Sequence, residues 1–413
     1  MNEQFDVVIA GAGPAGAQCA RDLAARDYDV LLLEAEEEAD FPRQSNKSTG
    51  GSFPSMLSAF GIPDDVVMRY TDEVVLESPN EYFVRSQPGA VLEFAQFKQF
   101  LVDDAERKGA ELRFDARVSK PITDGETPVG VRYDGDREVY GEVIVDATGP
   151  AAPLAKKLGV VELKRGRQAI GIEHEFEGVN LDADGWADLR DTMMLRLDHD
   201  LAPGGYSWIF HTGADTAKVG VCYIQNERHN ERVKEGMTID GYLDYWLDTD
   251  PRLQDASRIE GKTHRGSAHI QKPDGLSREN FVAIGDTVPT VDPVWGEGIH
   301  KGMKSARAAA KTIDHCLTLA EPDTSAEEMA IYDDLWHSEV APGMDSRLLM
   351  TELLYFAPND RYDTLMQDLN RLDNNTLREA NDGSKLAMAK LLHPGDLPML
   401  AQFGRSRLAD GAF

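Results

Sequence analysis

Cysteine and long apolar runs are both scarce in this sequence. Its 413 residues include three cysteines, Cys19, Cys222 and Cys316, and no two of them form a CxxC pair. Zinc, iron–sulfur and dithiol sites need closely spaced cysteines, so we expect no bound metal and three structural thiols. No segment reaches the roughly 18 uninterrupted apolar residues of a transmembrane helix, and the N-terminus shows no signal-peptide pattern. These absences predict a cytoplasmic protein with at most peripheral membrane contact.

Positive charge is also scarce. Lysine and arginine total 43 against 72 aspartate and glutamate residues, which gives a formal net charge of -29. The acidic residues are scattered along the chain, and this balance disfavours nucleic-acid binding. A diffuse acidic excess of this size resembles that of halophilic archaeal proteins. An acidic protein from an organism of ordinary salt tolerance is the alternative.

The N-terminal residues follow a strand, turn, helix, strand pattern. Phe5–Ala10 is apolar, a helical pattern covers Ala17–Arg26, and Tyr28–Leu33 is apolar again. Between the first strand and the helix lies GAGPAG, which contains the G-x-G-x-x-G motif. Glycines at such a turn permit a tight bend, close backbone approach to a pyrophosphate and close helix packing. The pattern predicts a βαβ unit that binds a dinucleotide.

An acidic residue completes this predicted site. Gly11, Gly13 and Gly16 supply the turn, and Glu34 ends the second strand 18 positions after Gly16. Its carboxylate is placed to accept hydrogen bonds from a ribose. A glycine-rich turn without a ligand is the alternative interpretation, but the strand, helix, strand and terminal acid together favour a dinucleotide.

Two downstream segments indicate FAD rather than NAD. The first is Asp146–Pro150, with the sequence DATGP, and the second is Gly285–Asp286 after the apolar run FVAIG. Asp286 is the candidate for a contact with a ribityl hydroxyl. A helix that begins near Gly298 can direct its amides at the flavin ring. A simple dehydrogenase needs neither segment.

The chain is too long for one simple core and changes character along its length. Residues 160–265 carry short apolar runs typical of an antiparallel sheet, and a buried strand at Phe281–Ile284 returns to the first lobe. We expect an α/β fold with a Rossmann-like FAD-binding domain, an inserted antiparallel β-sheet substrate domain and a helical C-terminal region. The expected parts are FAD-binding 1–70, 91–160 and 266–320, substrate 71–90 and 161–265, and C-terminal 321–413.

Five segments together resemble the geranylgeranyl reductase family, within the flavoprotein group related to para-hydroxybenzoate hydroxylase. They are GAGPAG with Glu34, FPRQSNKSTGG, DATG followed by PLAKKLG, GDTVPTVDPVWGEGI, and PGGYSWIF at 203–210. They span about residues 5 to 320. The last resembles the family's P-x-G-Y-x-W-x-F pattern and bears most directly on the substrate.

The resemblance implies roles for individual residues. Tyr206, Trp208 and Phe210 would line an isoprenoid cavity, although alternating aromatic residues are also common in the core of a sheet. The cofactor contacts that the motifs and the resemblance predict are Gly11, Gly13, Pro14, Ala15, Gly16, Glu34, Arg43, Val118, Asp146, Gly149, Gly285, Asp286, Pro293, Gly296, Gly298 and Ile299.

Three positions depart from the family pattern. Thr49 stands where many members have a cysteine, so a cysteine-dependent step at this position is excluded. His211 replaces a proline after the aromatic segment, and Phe94 stands where related flavoproteins often have an arginine. The departures leave the expected fold unchanged and bear on the substrate.

The expected activity is reduction of isolated C=C bonds in geranylgeranyl chains of a lipid or related isoprenoid. The sequence has no second G-x-G-x-x-G unit, so electrons would come from directly docked NAD(P)H or from a carrier such as ferredoxin. His211, Tyr206 and His300 are candidate proton donors, although a lone histidine is more often structural. A flavin-dependent monooxygenase and a flavin electron-transfer protein are the alternatives.

Overall fold

The computed structural model describes residues 3–42, 49–381, 384–398 and 401. Its strands are β1 (Gln4–Ala10), β2 (Val30–Leu33), β3 (Gly51–Ser52), β4 (Val67–Glu77), β5 (Tyr82–Leu92), β6 (Glu111–Arg113), β7 (Val118–Asp124), β8 (Thr127–Tyr133), β9 (Arg137–Asp146), β10 (Gln168–Glu177), β11 (Thr192–Arg196), β12 (Gly205–His211), β13 (Ala217–Gln225), β14 (Ser257–His269), β15 (Ser277–Arg278) and β16 (Phe281–Ala283). Its α-helices are α1 (Pro14–Ala24), α2 (Pro54–Phe60), α3 (Phe94–Arg107), α4 (Pro153–Lys157), α5 (Glu227–Arg232), α6 (Ile239–Thr249), α7 (Ile299–Thr318), α8 (Ala326–Met329), α9 (Ile331–Leu335), α10 (Met344–Phe356), α11 (Asn359–Arg371), α12 (Asn374–Asn381) and α13 (Lys385–Ala389).

The chain divides into two compact units. The first unit comprises Met1–Val66, Glu93–Lys164 and Ala268–Met344, and the second comprises Val67–Leu92, Arg165–Ser267 and Asp345–Phe413. The region 321–413, which the sequence predicts as one helical part, is divided between them: its residues up to Met344 belong to the first unit and the rest to the second.

The first unit is built on a largely parallel sheet. β1 lies between β2 and β9 and is parallel to both, and the strand order is β15-β16-β9-β1-β2-β6, with the β7–β8 hairpin attached to β9. Val7, Val8 and Ile9 are completely buried, as expected of a central parallel strand. α1 packs against both α3 and α7. The predicted βαβ start of the chain is confirmed.

The second unit contains the predicted antiparallel sheet. Its strand order is β14-β10-β13-β12-β11-β4-β5, and the pair β11–β4 is parallel. One face of this sheet packs beneath α6 in a core that includes Ile172, Ile209 and Trp246. Side chains alternate between the faces of a strand, so Trp208 and Phe210 lie on the opposite face.

The sequence-based prediction is wrong about the length of one strand. Glu111–Val118 looks like a single strand, but β6 ends at Arg113 and β7 begins at Val118. Asp115 adopts a left-handed φ of 49°, and the N–H groups of Asp115 and Ala116 donate to the carbonyls of Glu36 and Glu34. These bonds to the segment after β2 interrupt the strand.

Among the described residues, no helix is long and apolar enough to cross a membrane.

Candidate functional site

At two of the three glycines in the turn after β1, the surrounding atoms leave no space for a side chain. A Cβ on Gly11, whose φ is 100°, would lie 2.5 Å from the carbonyl oxygen of Ala147, and one on Gly16 would lie 1.9 Å from that of Gly11. Gly13 differs, because no atom lies within 4 Å of its Cβ position. Pro14 begins α1 directly behind it. The turn therefore leaves open space in front of a helix N-terminus, where a phosphate is favoured.

The acid at the end of β2 is held against this turn. Glu34 is buried, and its carboxylate accepts hydrogen bonds from the N–H groups of Ala12 at 2.8 Å and Glu36 at 2.9 Å. The carbonyl oxygen of Glu34 accepts from the N–H of Ala116 at 2.8 Å. This bond brings the start of β7, where buried Val118 lies, toward the same edge of the sheet.

Asp146, at the end of β9, shapes a second turn. Its fully buried carboxylate accepts hydrogen bonds from the N–H and hydroxyl of Thr148 and from the N–H groups of Leu154 and Ala155. Burial raises the pKa of Asp146, and these bonds oppose that shift. The carboxylate is thus occupied within the protein, which favours a positioning role for this predicted cofactor contact.

A third turn, at Gly285 and Asp286, lies against the other two. A Cβ on Gly285 would lie 2.7 Å from that of Ala15 in α1, and the hydroxyl of Thr287 accepts a hydrogen bond from the N–H of Gly149 at 3.0 Å. The N–H of Gly285 donates to the hydroxyl of Ser305 at 2.9 Å. The three turns are therefore connected around the N-terminus of α1.

Asp286 differs from the other acids of this site in its hydrogen bonding. Its carboxylate makes no hydrogen bond with any residue that the structure describes, and burial raises its pKa to about 6. A partly buried acid in this state is suited to hydroxyl donors from a ligand. This observation fits the ribityl chain of FAD.

The loop before α7 closes the site. The Asp292 carboxylate accepts from the N–H groups of Val294 and Trp295, and its carbonyl oxygen accepts from that of Gly296. Pro293 is buried inside this loop and Gly296 has a φ of 66°. α7 begins directly after this loop.

Two further residues mark that helix start. A Cβ on Gly298 would lie 3.7 Å from the Asp286 carboxylate, and Ile299 begins α7. Glu297 accepts from the N–H of His300 at 2.5 Å, and burial raises the pKa of Glu297 to about 7. The predicted cofactor residues other than Arg43, which lies outside the described residues, all belong to the first unit.

The aromatic face of the second unit carries the predicted isoprenoid-lining residues. Tyr206, Trp208 and Phe210 project from β12 beside Leu195 and Cys222 of the neighbouring strands. The ring centroid of Tyr206 lies 5.8 Å from that of Trp208 and 5.7 Å from that of Tyr355. Trp208 and Phe210 are 5% and 9% exposed and so are buried on this face, whereas Tyr206 is half-buried. We call the row formed by Tyr206, Trp208 and Phe210 the aromatic wall.

Known relatives establish the family. A model of the geranylgeranyl reductase catalytic domain matches residues 177–262, and one described as lycopene cyclase protein matches residues 6–193. The chain is 65% identical over 401 residues to the digeranylgeranylglycerophospholipid reductase of Haloferax volcanii, covering 97% of this chain and 98% of the relative. The chain belongs to the digeranylgeranylglycerophospholipid reductase family. A member from Methanopyrus kandleri is 27% identical over 378 residues, covering 90% of this chain and 91% of its own.

Solved structures confirm the predicted fold class. A geranylgeranyl bacteriochlorophyll reductase-like protein of Thermoplasma acidophilum matches with a TM-score of 0.82 at 19% identity, covering 98% of this chain and 99% of its own. A flavin-dependent brominase matches with a TM-score of 0.74 at 21% identity, covering 98% of this chain and 100% of its own. At these identities the likeness shows the fold, which the family shares with flavin-dependent enzymes.

His211, a candidate proton donor in this family member, is engaged at both ring nitrogens. Its Nδ1 accepts from the N–H of Asp191 at 2.8 Å, and its Nε2 contacts the carbonyl of Gly213. Burial lowers the pKa of His211. Because the neutral ring bridges two backbone groups, the geometry favours a structural role.

His300 is poorly suited to donate a proton at neutral pH. It is the second residue of α7, and burial, with Lys304 and Lys301 nearby, lowers its pKa to about 4. Its ring lies edge-on to that of Phe60, with centroids 6.2 Å apart. Of the three candidates, Tyr206 is the one on the aromatic wall.

Sequence reasoning missed several residues that build these sites. Thr287, Ser305 and Asp292 brace the turns of the first unit, and Glu173 bonds the Trp208 indole in the second. Thr287 and Asp292 lie inside the GDTVPTVDPVWGEGI segment, so that motif could have indicated them. Glu173 gave no signal, because charged residues in strands normally face water.

Proposed function

We propose that this chain binds FAD and uses it to saturate isolated C=C bonds in geranylgeranyl chains of archaeal-type glycerophospholipids. The observation that carries the proposal is the aromatic wall. A long hydrocarbon offers few polar groups, and large aromatic side chains provide the contact area that binds it. Tyr206, Trp208 and Phe210 group such side chains on one face of the second sheet, in a member of a family named for reduction of these lipids.

The first unit supplies the groups that would hold FAD. The open space at Gly13 and the N-terminus of α1 suit the pyrophosphate. Glu34, fixed by two backbone N–H groups, has lone pairs left for ribose hydroxyls. Asp286 would accept from the ribityl chain. The flavin ring would then lie toward the loop that contains Pro293 and Gly298.

Reduction of an unactivated alkene needs a hydride on one carbon and a proton on the other. Reduced FAD supplies the hydride when it is bound. The protein orients the alkene, excludes water and provides the proton. Because both nitrogens of His211 are engaged and His300 is neutral, we assign the proton to the hydroxyl of Tyr206, or to a water that it orders.

The electron donor is NAD(P)H or a small carrier such as ferredoxin. An acidic carrier would be repelled by a chain of net charge -29 in dilute buffer. In molar salt the Debye length falls to about 3 Å, which removes most of that repulsion.

Anaerobic turnover tests the proposal. The purified FAD-loaded protein is reduced with dithionite under argon and mixed with a digeranylgeranyl glycerophospholipid in molar KCl. We expect reoxidation of the flavin and a lipid mass that rises by one H2 for each saturated bond. A product that forms only with oxygen and carries a hydroxyl group would show a monooxygenase, and reoxidation without a changed lipid would show an electron-transfer protein.

A further inference from the structure

Glu173 and Trp208 lie in one row across the second sheet. Glu173 of β10 pairs with Gly220 of β13, and Gly220 pairs with Trp208 of β12. Paired residues project to the same face of a sheet, so the two side chains share a face with a glycine between them. A Cβ on Gly220 would lie 2.2 Å from Cζ2 of Trp208. The indole therefore lies across β13 in the space that a side chain would occupy.

A desolvated hydrogen bond fixes the indole in that position. Its Nε1–H donates to Oε2 of Glu173 at 2.8 Å. Trp208 is 5% exposed and Glu173 is 2% exposed, so water does not compete for this bond. Burial raises the pKa of Glu173, and Lys218 and the indole oppose that shift. The acid is an acceptor for Trp208, and the buried residues Glu175 and Lys218 lie two positions along on the same face.

We propose that Glu173 is a positioning residue for the aromatic wall. It holds the ring of Trp208 flat against β13, so that the ring face is presented to the isoprenoid chain. Without the bond only packing over Gly220 fixes the side-chain dihedrals of the indole, and a rotated ring would take up the space that the hydrocarbon needs. This inference rests on the proposed function, because it gives Glu173 a role in binding the same lipid.

A second role for the same residue is distinguishable. The other carboxylate oxygen, Oε1, is buried and has no hydrogen-bond partner among the described residues. A protonated Glu173 would be able to release a proton there. Glutamine separates the two roles, because its amide oxygen still accepts from the indole whereas the amide cannot act as the acid.

The test compares Glu173→Gln, Glu173→Met and Trp208→Phe in the FAD-loaded protein. We expect Glu173→Gln to keep the wild-type KM for the lipid within about twofold. Loss of one buried hydrogen bond predicts a KM about tenfold higher in Glu173→Met and Trp208→Phe, with kcat little changed. The double variant Glu173→Met/Trp208→Phe should be no worse than either single variant, because both remove one interaction.

Glu175→Gln is the matched control. Glu175 lies two residues along the same strand and face, pairs with Lys218 across the sheet and contacts His264 rather than an indole. We expect its KM to equal that of the wild type. Thermal melting in molar KCl verifies folding of each variant, and Trp208→Phe still tests the bond if Glu173→Met does not fold.

A 15N spectrum of the tryptophan indoles reports the bond directly. The Trp208 N–H should be protected from exchange in the wild type and in Glu173→Gln, and unprotected in Glu173→Met. A wild-type KM in Glu173→Met would overturn the inference. So would a Glu173→Gln variant that binds lipid normally but does not turn over, because that result identifies an acid. If the wild-type protein itself leaves the lipid unreduced, the proposed function fails, and the indole signal alone decides whether Glu173 positions Trp208.

Discussion

The carboxylate of Glu34 accepts a hydrogen bond from the backbone N–H of Ala12 at 2.8 Å, although the two residues are 22 positions apart. The bond joins the end of β2 to the glycine turn after β1. The Glu34 carboxylate, which accepts this bond, is also the group to which the ribose hydroxyls would donate in the proposed site. The acid therefore shapes the turn, and in the proposed cofactor site it would also bind the ribose.

Glu34→Ala should weaken FAD binding at least about tenfold, because it removes a charged acceptor from the ribose and releases the N–H of Ala12. Quenching of flavin fluorescence on titration of the FAD-free protein measures the Kd. Glu37→Ala, which removes an exposed acid three residues later, is the control and should bind normally. An unchanged Kd in Glu34→Ala would remove Glu34 from the site.

Substitution of two glycines in the turn should separate folding from cofactor binding. Gly16→Ala forces a Cβ to within 1.9 Å of a backbone oxygen, so we expect loss of soluble folded protein. Gly13→Ala meets no atom within 4 Å, and Gly13 has an ordinary φ of -67°. We expect Gly13→Ala to fold with the wild-type melting temperature when FAD-free and to bind FAD at least about tenfold more weakly. Normal FAD content in Gly13→Ala would place the pyrophosphate elsewhere.

The sequence predicted the parts of the structure that are set by local chemistry. The glycine motif, the apolar run of β1 and the aromatic alternation of β12 each have a period or spacing that a single conformation satisfies. Non-local effects were not predictable. The break between β6 and β7 depends on the carbonyls of Glu34 and Glu36, about 80 residues away along the chain.

Buried polar partners were also beyond sequence reasoning. His211 is one of the three proton-donor candidates that the sequence offers, yet its ring bridges two backbone groups. No sequence pattern singles out Glu173, and the structure pairs it with Gly220 and hydrogen-bonds it to Trp208. Asp191, which donates to His211, and Trp208, which donates to Glu173, each lie in a different segment from their acceptor, so the residue type alone does not give its role.

The stability of the FAD-free protein should depend on the ionisation of Asp286. Burial raises its pKa to about 6 from an ordinary value of 3.8, so the folded state binds a proton that the unfolded state releases. The free energy of unfolding should fall as the pH rises from about 4 to about 6, and this contribution should stay lost above that range. In Asp286→Asn the fall should be smaller, as measured by urea denaturation at each pH in constant molar KCl. Glu279→Gln, at an exposed acid of the same unit, is the control, and identical pH profiles for Asp286→Asn and the wild type would contradict the assignment.

High salt should stabilise the whole protein. A net charge of -29 produces repulsion that destabilises the compact state, and screening relieves it. We expect the melting temperature to rise steeply between dilute buffer and molar KCl. Potassium glutamate at equal ionic strength is the control for effects of the anion. A melting temperature independent of salt would argue against adaptation to concentrated salt.

The last described segment of the chain exposes leucines that suit a membrane surface. Leu386 is 84% exposed, Leu392 41% and Leu397 63%, and Lys390 is an exposed cation among them. Neighbouring Ala387 is buried, so α13 packs through one side and leaves apolar side chains on another. The cations Arg405 and Arg407 of the sequence, which lie outside the described residues, would add attraction to anionic lipid.

Replacing the three leucines, in Leu386→Gln/Leu392→Gln/Leu397→Gln, should reduce co-sedimentation with anionic liposomes in molar KCl at least about fivefold, because each exposed leucine contributes apolar area to the interface. Flavin content and melting temperature should stay at wild-type values, since Leu386 and Leu397 lie mostly in solvent and Leu392 is partly exposed. Tyr245→Gln removes an exposed apolar side chain elsewhere in the second unit and is the matched control. Unchanged liposome binding by the folded triple variant would refute the membrane role. Loss of folding in the same variant would show instead that the leucines pack against the rest of the chain, and truncation after Asn381 would then be expected to unfold the protein as well.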